Sequence, residues 1–496
     1  MAIVNGTYGR EARRAPTAAG RALARAGAGA GLIALALAVS FVSTRADQMS
    51  VLQLVLLVAL VMGAVSIHLI KPAYLLPYAL LVWAAGPEIR RLVDWSFQHY
   101  SSTPILSLAP LCVSMVMLLP VLRGYRAASK PVKRIAGLFA AVLCYGLAIG
   151  LLRSGIAAIY EFLSYLLPFL TFLYIHAGGF DRKVRGTWMR GFAFIAVVVG
   201  AYGIVQYLVL PAWDRFWMEE VEMTSIGHPE PLMVRVFSLL NSPGPAGNFL
   251  AFALGAMLVN RSWRFLGPAG IAAVAAALLL TLVRSSWIAL IVLLAAYLLA
   301  SRSARRIRLL LTMAVMLAAS QALLPLLPGA DAVASRFGTL GSLSEDHSFR
   351  ERLKFTAGML PAVASNPIGY GLGSTGVGTK LGGGGGGIQS FDNGYLNLIY
   401  TFGLPGGLAL LYLLLYLAGQ QWRRRAGDPD YAGLSFAAVM AVLFLLLGQN
   451  PLPGVGGMLI WFLAALPFLR SGGERSGGGV LAPGGRGAII GREVDV

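Results

Sequence analysis

The sequence predicts an all-α bundle of about 12–14 membrane-spanning helices, with an outer loop region built of short helices. Three observations predict it. Charged residues make up only 12% of the 496 residues, and apolar residues 57%. A soluble domain carries about 25% charged residues, so this chain lacks the polar surface to cover a water-facing globule. Apolar runs long enough to cross a hydrocarbon core recur along its whole length. Positive charge is also segregated. With the N-terminus placed inside, alternate loops on that side hold 28 of the 40 Lys and Arg and 7 of the 21 Asp and Glu. The inside-positive rule predicts such a split. The net charge of +19 is then a topology signal, and no nucleic-acid partner is expected.

In chain order, a basic cytoplasmic segment (1–27) precedes the integral bundle (28–470), and a Gly-rich tail (471–496) follows it. Apolar segments lie near 28–43, 50–69, 71–86, 104–122, 135–151, 157–176, 190–210, 244–259, 265–283, 286–300, 309–327, 393–418, 431–448 and 455–469. The second and third are interrupted by His68, Lys71, Pro72 and Pro77, and read as a broken pair or one tilted span. The first lacks a small-residue cleavage site after it and reads as a helix that stays. Both termini fall inside. Cys112 and Cys144 sit in apolar runs, with no disulfide or zinc spacing. The outer connections worth searching for chemistry are about 87–103, 211–242 and 327–391, because the others are short. The run Gly382–Gly387 is a flexible element in the longest.

Five outward polar stretches stand out. Arg90, Arg91 and Asp94 beside Trp95 read as a snorkelling rim or as ligand contacts. Arg235 precedes Phe-Ser-Leu-Leu-Asn241-Ser-Pro-Gly-Pro, a helix-breaking run at the start of a span. Arg284 is the only charge between Arg264 and Arg302 and lies at a tight turn. Arg350, Arg352 and Lys354 form a basic cluster where basic residues are disfavoured, so Glu345, Asp346 and Glu351, or a bound phosphate, must neutralise them. Asp392 and Asn393 precede Gly-Tyr395-Leu and then Gly403-Leu-Pro-Gly-Gly407. Asp392 there is either a helix N-cap or a carboxylate facing the arginines. Arginines with one base suit transfer from a diphosphate leaving group, since the arginines neutralise the charge on the departing group. There is no Asp-rich metal motif, P-loop or serine nucleophile elbow, and no cofactor is expected.

In order and spacing, these pieces resemble the O-antigen ligase and O-antigen polymerase (Wzy-type) superfamily. The likeness is densest from Arg235 to Gly407: Arg235 and its Ser-Pro-Gly-Pro run, Thr-Leu-Val-Arg284-Ser, Arg352 before Asn-Pro-Ile-Gly-Tyr-Gly-Leu-Gly, and Asp392-Asn393-Gly-Tyr395-Leu. The resemblance implies an inverting, metal-independent glycosyl transfer on the periplasmic side of a bacterial inner membrane. The donor would be a glycan on undecaprenyl diphosphate, and a chain-length regulator is a candidate partner. It casts Arg284 and Arg352 as diphosphate contacts and Asp392 as the group that prepares the acceptor hydroxyl. Arg235 would be a third diphosphate contact, and Asn241, Asn393, Tyr395, Arg90, Arg91 and Arg350 substrate contacts. Ligases of this kind carry His-Asn where this chain has Asp392-Asn393, which favours a polymerase joining lipid-linked repeat units over a ligase acting on lipid A-core. A lipid-glycan flippase, argued from Glu161 inside a span and from the Gly/Pro breaks, and a non-catalytic scaffold are the competing classes.

Overall fold

The computed structural model describes residues 48–221, 223–301, 306–307, 310–311, 347–381 and 391–469. The expected segment near 28–43, most of that near 309–327, the basic segment 1–27, the run 382–387 and the tail from 471 lie outside the described residues. The described residues form helices: α1 (Gln48–Ile70), α2 (Leu75–Ser96), α3 (Ala109–Met115), α4 (Leu118–Gly124), α5 (Lys130–Ser154), α6 (Ile156–Ala177), α7 (Val184–Val209) and α8 (Ala212–Glu220). Then come α9 (Pro243–Val259), α10 (Gly267–Leu280), α11 (Arg284–Ala300), α12 (His347–Ser365), α13 (Gly394–Arg424), α14 (Pro429–Leu445) and α15 (Gly454–Ala465). Among the described residues, six helical stretches are long and apolar enough to cross a membrane, and five shorter apolar helices run among them.

The ambiguous pair is two helices. The chain reverses at Lys71–Tyr74, and the Tyr78 hydroxyl donates back to the Leu60 carbonyl (2.9 Å), closing an α1–α2 hairpin. The expected span near 104–122 is present as one apolar helical stretch, Ile105–Ala127, built of a 3-10 turn, α3, α4 and a second 3-10 turn. The expected loop from 87 is helical as far as Ser96, with Pro87 inside α2.

The bundle has two chemically different ends. At one, Trp188 donates to the Ala73 carbonyl (2.6 Å), Tyr174 to the Pro72 carbonyl (2.7 Å) and Arg182 to the Leu469 carbonyl (3.1 Å), while Arg185 pairs with Asp428. Those bonds gather the loops rich in Lys and Arg into a basic end. The opposite end carries the α2–α3, α7–α9 and α10–α11 connections, α12 and the turn 446–453.

One join needs a helix to fail. Gly403 leaves helical geometry (φ 67°, ψ 176°) and Pro405 has no N–H to give, so α13 breaks. The freed carbonyls of Tyr400 and Thr401 accept from Tyr370 and Gly371 (2.8 and 2.9 Å), Leu404 N–H donates to Pro367, and Leu372 N–H reaches Gly146 of α5 (2.9 Å). Residues 367–372, which turn at Pro367–Ile368, thus lie as a strip between α5 and α13. At Gly371 (φ +84°) a Cβ would stand 2.3 Å from the Gly150 nitrogen, so only glycine fits.

Candidate functional site

The segment that begins at Arg235 is held from behind. Glu88, Arg91 and Asp94 recur every third residue and share the inner face of α2. Arg91 has no exposed surface. Its guanidinium donates to the carbonyls of Leu240 (2.6 Å) and Ser238 (2.5 Å), hydrogen-bonds Glu88 and pairs with Asp214 of α8 (2.8 Å). Gln206 supplies the remaining ties: its Oε1 accepts from the N–H groups of Phe237 and Ser238, and its Nε2 donates to Asp214. Backbone groups in an irregular, buried loop must find such partners. The Tyr202 hydroxyl lies 2.6 Å from a Glu88 oxygen and 2.8 Å from an Asp214 oxygen. One hydroxyl hydrogen cannot serve both, so the cluster is complete when one of the two carboxyls is protonated. Burial pushes the Asp214 carboxyl up, with Arg91 pulling it down and Glu88 adding to the rise.

In front of this support the sequence fragments meet. Val236 N–H donates to the Leu280 carbonyl (3.0 Å) and Arg235 to that of Leu282 (3.3 Å), which sets Arg235 beside the turn whose next helix opens with Arg284. Ser286 donates to Asn248 (2.9 Å), and a Cβ on Gly247 would meet the Ser286 hydroxyl at 2.6 Å, so α9 and α11 start in contact. A Cβ on Gly244 would be 3.7 Å from the Gln449 amide oxygen, and one on Gly448 would be 3.3 Å from the Arg352 guanidinium. The turn 446–450 therefore lies between the Asn241–Asn248 segment and Arg352. On α12, Arg352, Phe355 and Thr356 share a face. Phe355 packs edge-on to Phe391 (5.0 Å) and Thr356 accepts from Asn393 (3.4 Å), which brings Arg352 to the entry of α13 where Asp392 stands.

The candidate residues divide. Arg235, Arg284, Arg352, Asn241 and Asp392 belong to this one end of the bundle. Asn241 and Arg352 are exposed, the other three half-buried. Neither Arg352 nor Asp392 has a hydrogen-bond or ion-pair partner among the described residues. The α13 cap is Asn393, whose side-chain oxygen accepts from Leu396 N–H (3.1 Å), so Asp392 is not committed to capping. Several other candidates are engaged within the protein. Arg91 faces inward. Asn393 caps. Tyr395 donates to the Leu443 carbonyl (2.6 Å). Arg90 bonds Asp94 (3.3 Å) and the Ser101 carbonyl (2.6 Å). Of the cluster on α12, Lys354 pairs with Glu351 (3.2 Å) and Arg350 is exposed, whereas Glu345 and Asp346 lie outside the described residues. The supporting group of Glu88, Tyr202, Gln206, Trp213 and Asp214 was absent from the sequence reading. Its only sequence signal is Glu88, Arg91 and Asp94 three apart in a run otherwise apolar on that face.

Residues 269–411 match the family model for O-antigen ligase (Wzy_C). Over this stretch, less than a third of the chain, the protein is similar to the O-antigen ligase family. The ligase-family segment runs from α10 to the middle of α13. It takes in Arg284, Arg352, the 367–372 strip, Asp392 and the Gly403 break, and leaves Arg235 and Asn241 on its N-terminal side. No curated protein matches the chain significantly.

Proposed function

We propose that this protein is a polysaccharide polymerase. It moves a glycan from undecaprenyl diphosphate to another lipid-linked repeat unit, on the periplasmic side of a bacterial inner membrane. The observation that carries the reading is the meeting of Arg235, Arg284, Arg352 and Asp392 at the end of the bundle away from the basic loops. A diphosphate needs cations, an acceptor hydroxyl needs a base, and the inside-positive rule puts this end outside.

In the proposed step the acceptor oxygen attacks the anomeric carbon as the bond from that carbon to the diphosphate oxygen breaks. The electron pair leaves with the diphosphate, where Arg284 and Arg352 stabilise the charge as it grows. Asp392 takes the acceptor proton. Attack from the face opposite the leaving group inverts the anomeric centre.

The ligase reading stands second, and the description of the matched family favours it. The Asp392-Asn393 pair in place of His-Asn argues for the polymerase. One assay separates them: purified protein in nanodiscs, lipid-linked repeat units of the source organism, and lipid A-core offered in parallel. A ladder of longer lipid-linked glycans supports polymerisation, and glycan appearing on lipid A-core makes the protein a ligase. Arg352→Ala and Asp392→Asn are each expected to slow transfer about 10²–10³-fold. Wild-type rates in both would refute the proposed roles.

A further inference from the structure

Glu161 is left over from this chemistry. It lies on α6 about a turn and a half from the Gly155 turn. It is only 7% exposed, and no described residue gives it a hydrogen bond or an ion pair. A bare carboxylate at that depth is costly, and such groups are retained for a use. Its neighbours among the described residues are neutral. Its oxygens face Gly376 and Gly378, where a Cβ on either glycine would come within 3.5 Å.

One helical turn along, Tyr165 begins a run of hydrogen bonds. Asn450 donates to the Tyr165 hydroxyl (2.6 Å) and to the Asn397 carbonyl oxygen (2.6 Å), Asn397 donates to Thr375 (3.1 Å), and Thr375 meets Thr401 at 3.4 Å. Four elements contribute: α6, the loop before 381, α13 and the turn 446–453. Asn450 follows Gly448 and Gln449, beside which the Arg352 guanidinium sits. The seam thus starts at the edge of the arginine cluster.

We propose that this seam is a saccharide subsite, in which Glu161 accepts hydrogen bonds from ring hydroxyls of the acceptor sugar. Thr375, Asn397 and Asn450 stand alongside, and the backbone of Gly376 and Gly378 borders the carboxylate. The chemistry selects the ligand. A carboxylate only accepts, so it wants donors; it repels a diphosphate, and a lone carboxylate among amides and hydroxyls suits neutral hydroxyls better than a metal ion. Charge then sorts the substrates, with diphosphate at the arginines and acceptor sugar at Glu161. The assignment of the sugar as acceptor rests on the transfer reading above.

The test measures binding apart from turnover. The repeat-unit oligosaccharide of the source organism, freed from its lipid, is titrated into nanodisc protein, with inorganic pyrophosphate titrated separately. Glu161→Gln is expected to weaken oligosaccharide binding about tenfold while pyrophosphate affinity and melting temperature hold. Thr375→Val is expected to act in the same direction more weakly, and carries the test if Glu161→Gln does not fold. Equal oligosaccharide affinity in wild type and variant, or no oligosaccharide binding by wild type, overturns the subsite. So does parallel loss of both ligands with a lowered melting temperature, which would make Glu161 structural. Oligosaccharide binding through Glu161 in a protein that transfers nothing would sink the transfer reading and leave the subsite standing.

Discussion

Arg91 and Arg90 are adjacent and identical in type, yet only one is fully buried. Arg91 replaces water with two carbonyls and two carboxylates, and removing one member of such a set strands the others. Arg91→Ala is therefore expected to cost about 3–5 kcal/mol, read as a lower melting temperature in detergent. Arg91→Lys should recover only part, because an ammonium cannot span both carbonyls and both acids. Asp214 gives a pH signature. Its folded carboxyl sits above the ordinary value of 3.8, so the folded state holds that proton more tightly than the unfolded chain does. The stability this supplies is complete below 3.8 and is lost as pH rises through the raised folded value. Asp214→Asn stays neutral throughout, so its melting temperature should fall less than that of wild type between acidic and neutral pH. At this scale the sequence singled out the arginines near the end of α2. It could not say which faced inward, since the partners that decide it, Asp214 and the Ser238 and Leu240 carbonyls, lie more than a hundred residues away.

The strip of residues 367–372 and the break at Gly403 form one element made of two distant motifs. Asn-Pro-Ile-Gly-Tyr-Gly-Leu-Gly and Gly-Leu-Pro-Gly-Gly both stand out in the sequence as motifs, but their hydrogen bonds to each other do not. A proline-interrupted helix leaves carbonyls open without naming what fills them. Gly371→Ala adds a Cβ 2.3 Å from a backbone nitrogen at a φ of +84°. A loss of about 3 kcal/mol or more is expected, measurable as reduced yield and melting temperature, with Ala at the open position Gly358 as the neutral control. Helix ends were less legible than helices. α2 runs ten residues past the expected end of its span because Pro87 did not stop it, and Asn393 rather than Asp392 caps α13.

Across the whole molecule, hydropathy and charge located the bundle and its two ends well, because lipid imposes both on composition. The buried polar groups that join helices were beyond their reach, since each needs a partner from another helix. The orientation is open to direct test. In a background with Cys112 and Cys144 replaced, Gln98→Cys should react with a membrane-impermeant maleimide added to intact spheroplasts, and Arg126→Cys only after lysis; the reverse pattern would invert the molecule. The strip is also where α12 is anchored to the bundle. From Asn366 back to Arg352 is about 20 Å of helix at 1.5 Å per residue. A lever that long turns a swing of about 5° into a displacement of roughly 2 Å at the guanidinium, enough to spoil an alignment that chemistry requires. What would oppose such a swing is the packing of Phe355 on Phe391 and the Asn393–Thr356 bond at the far end of the arm, so in the proposed reaction the aim of Arg352 would depend on a phenylalanine that need never touch the substrate.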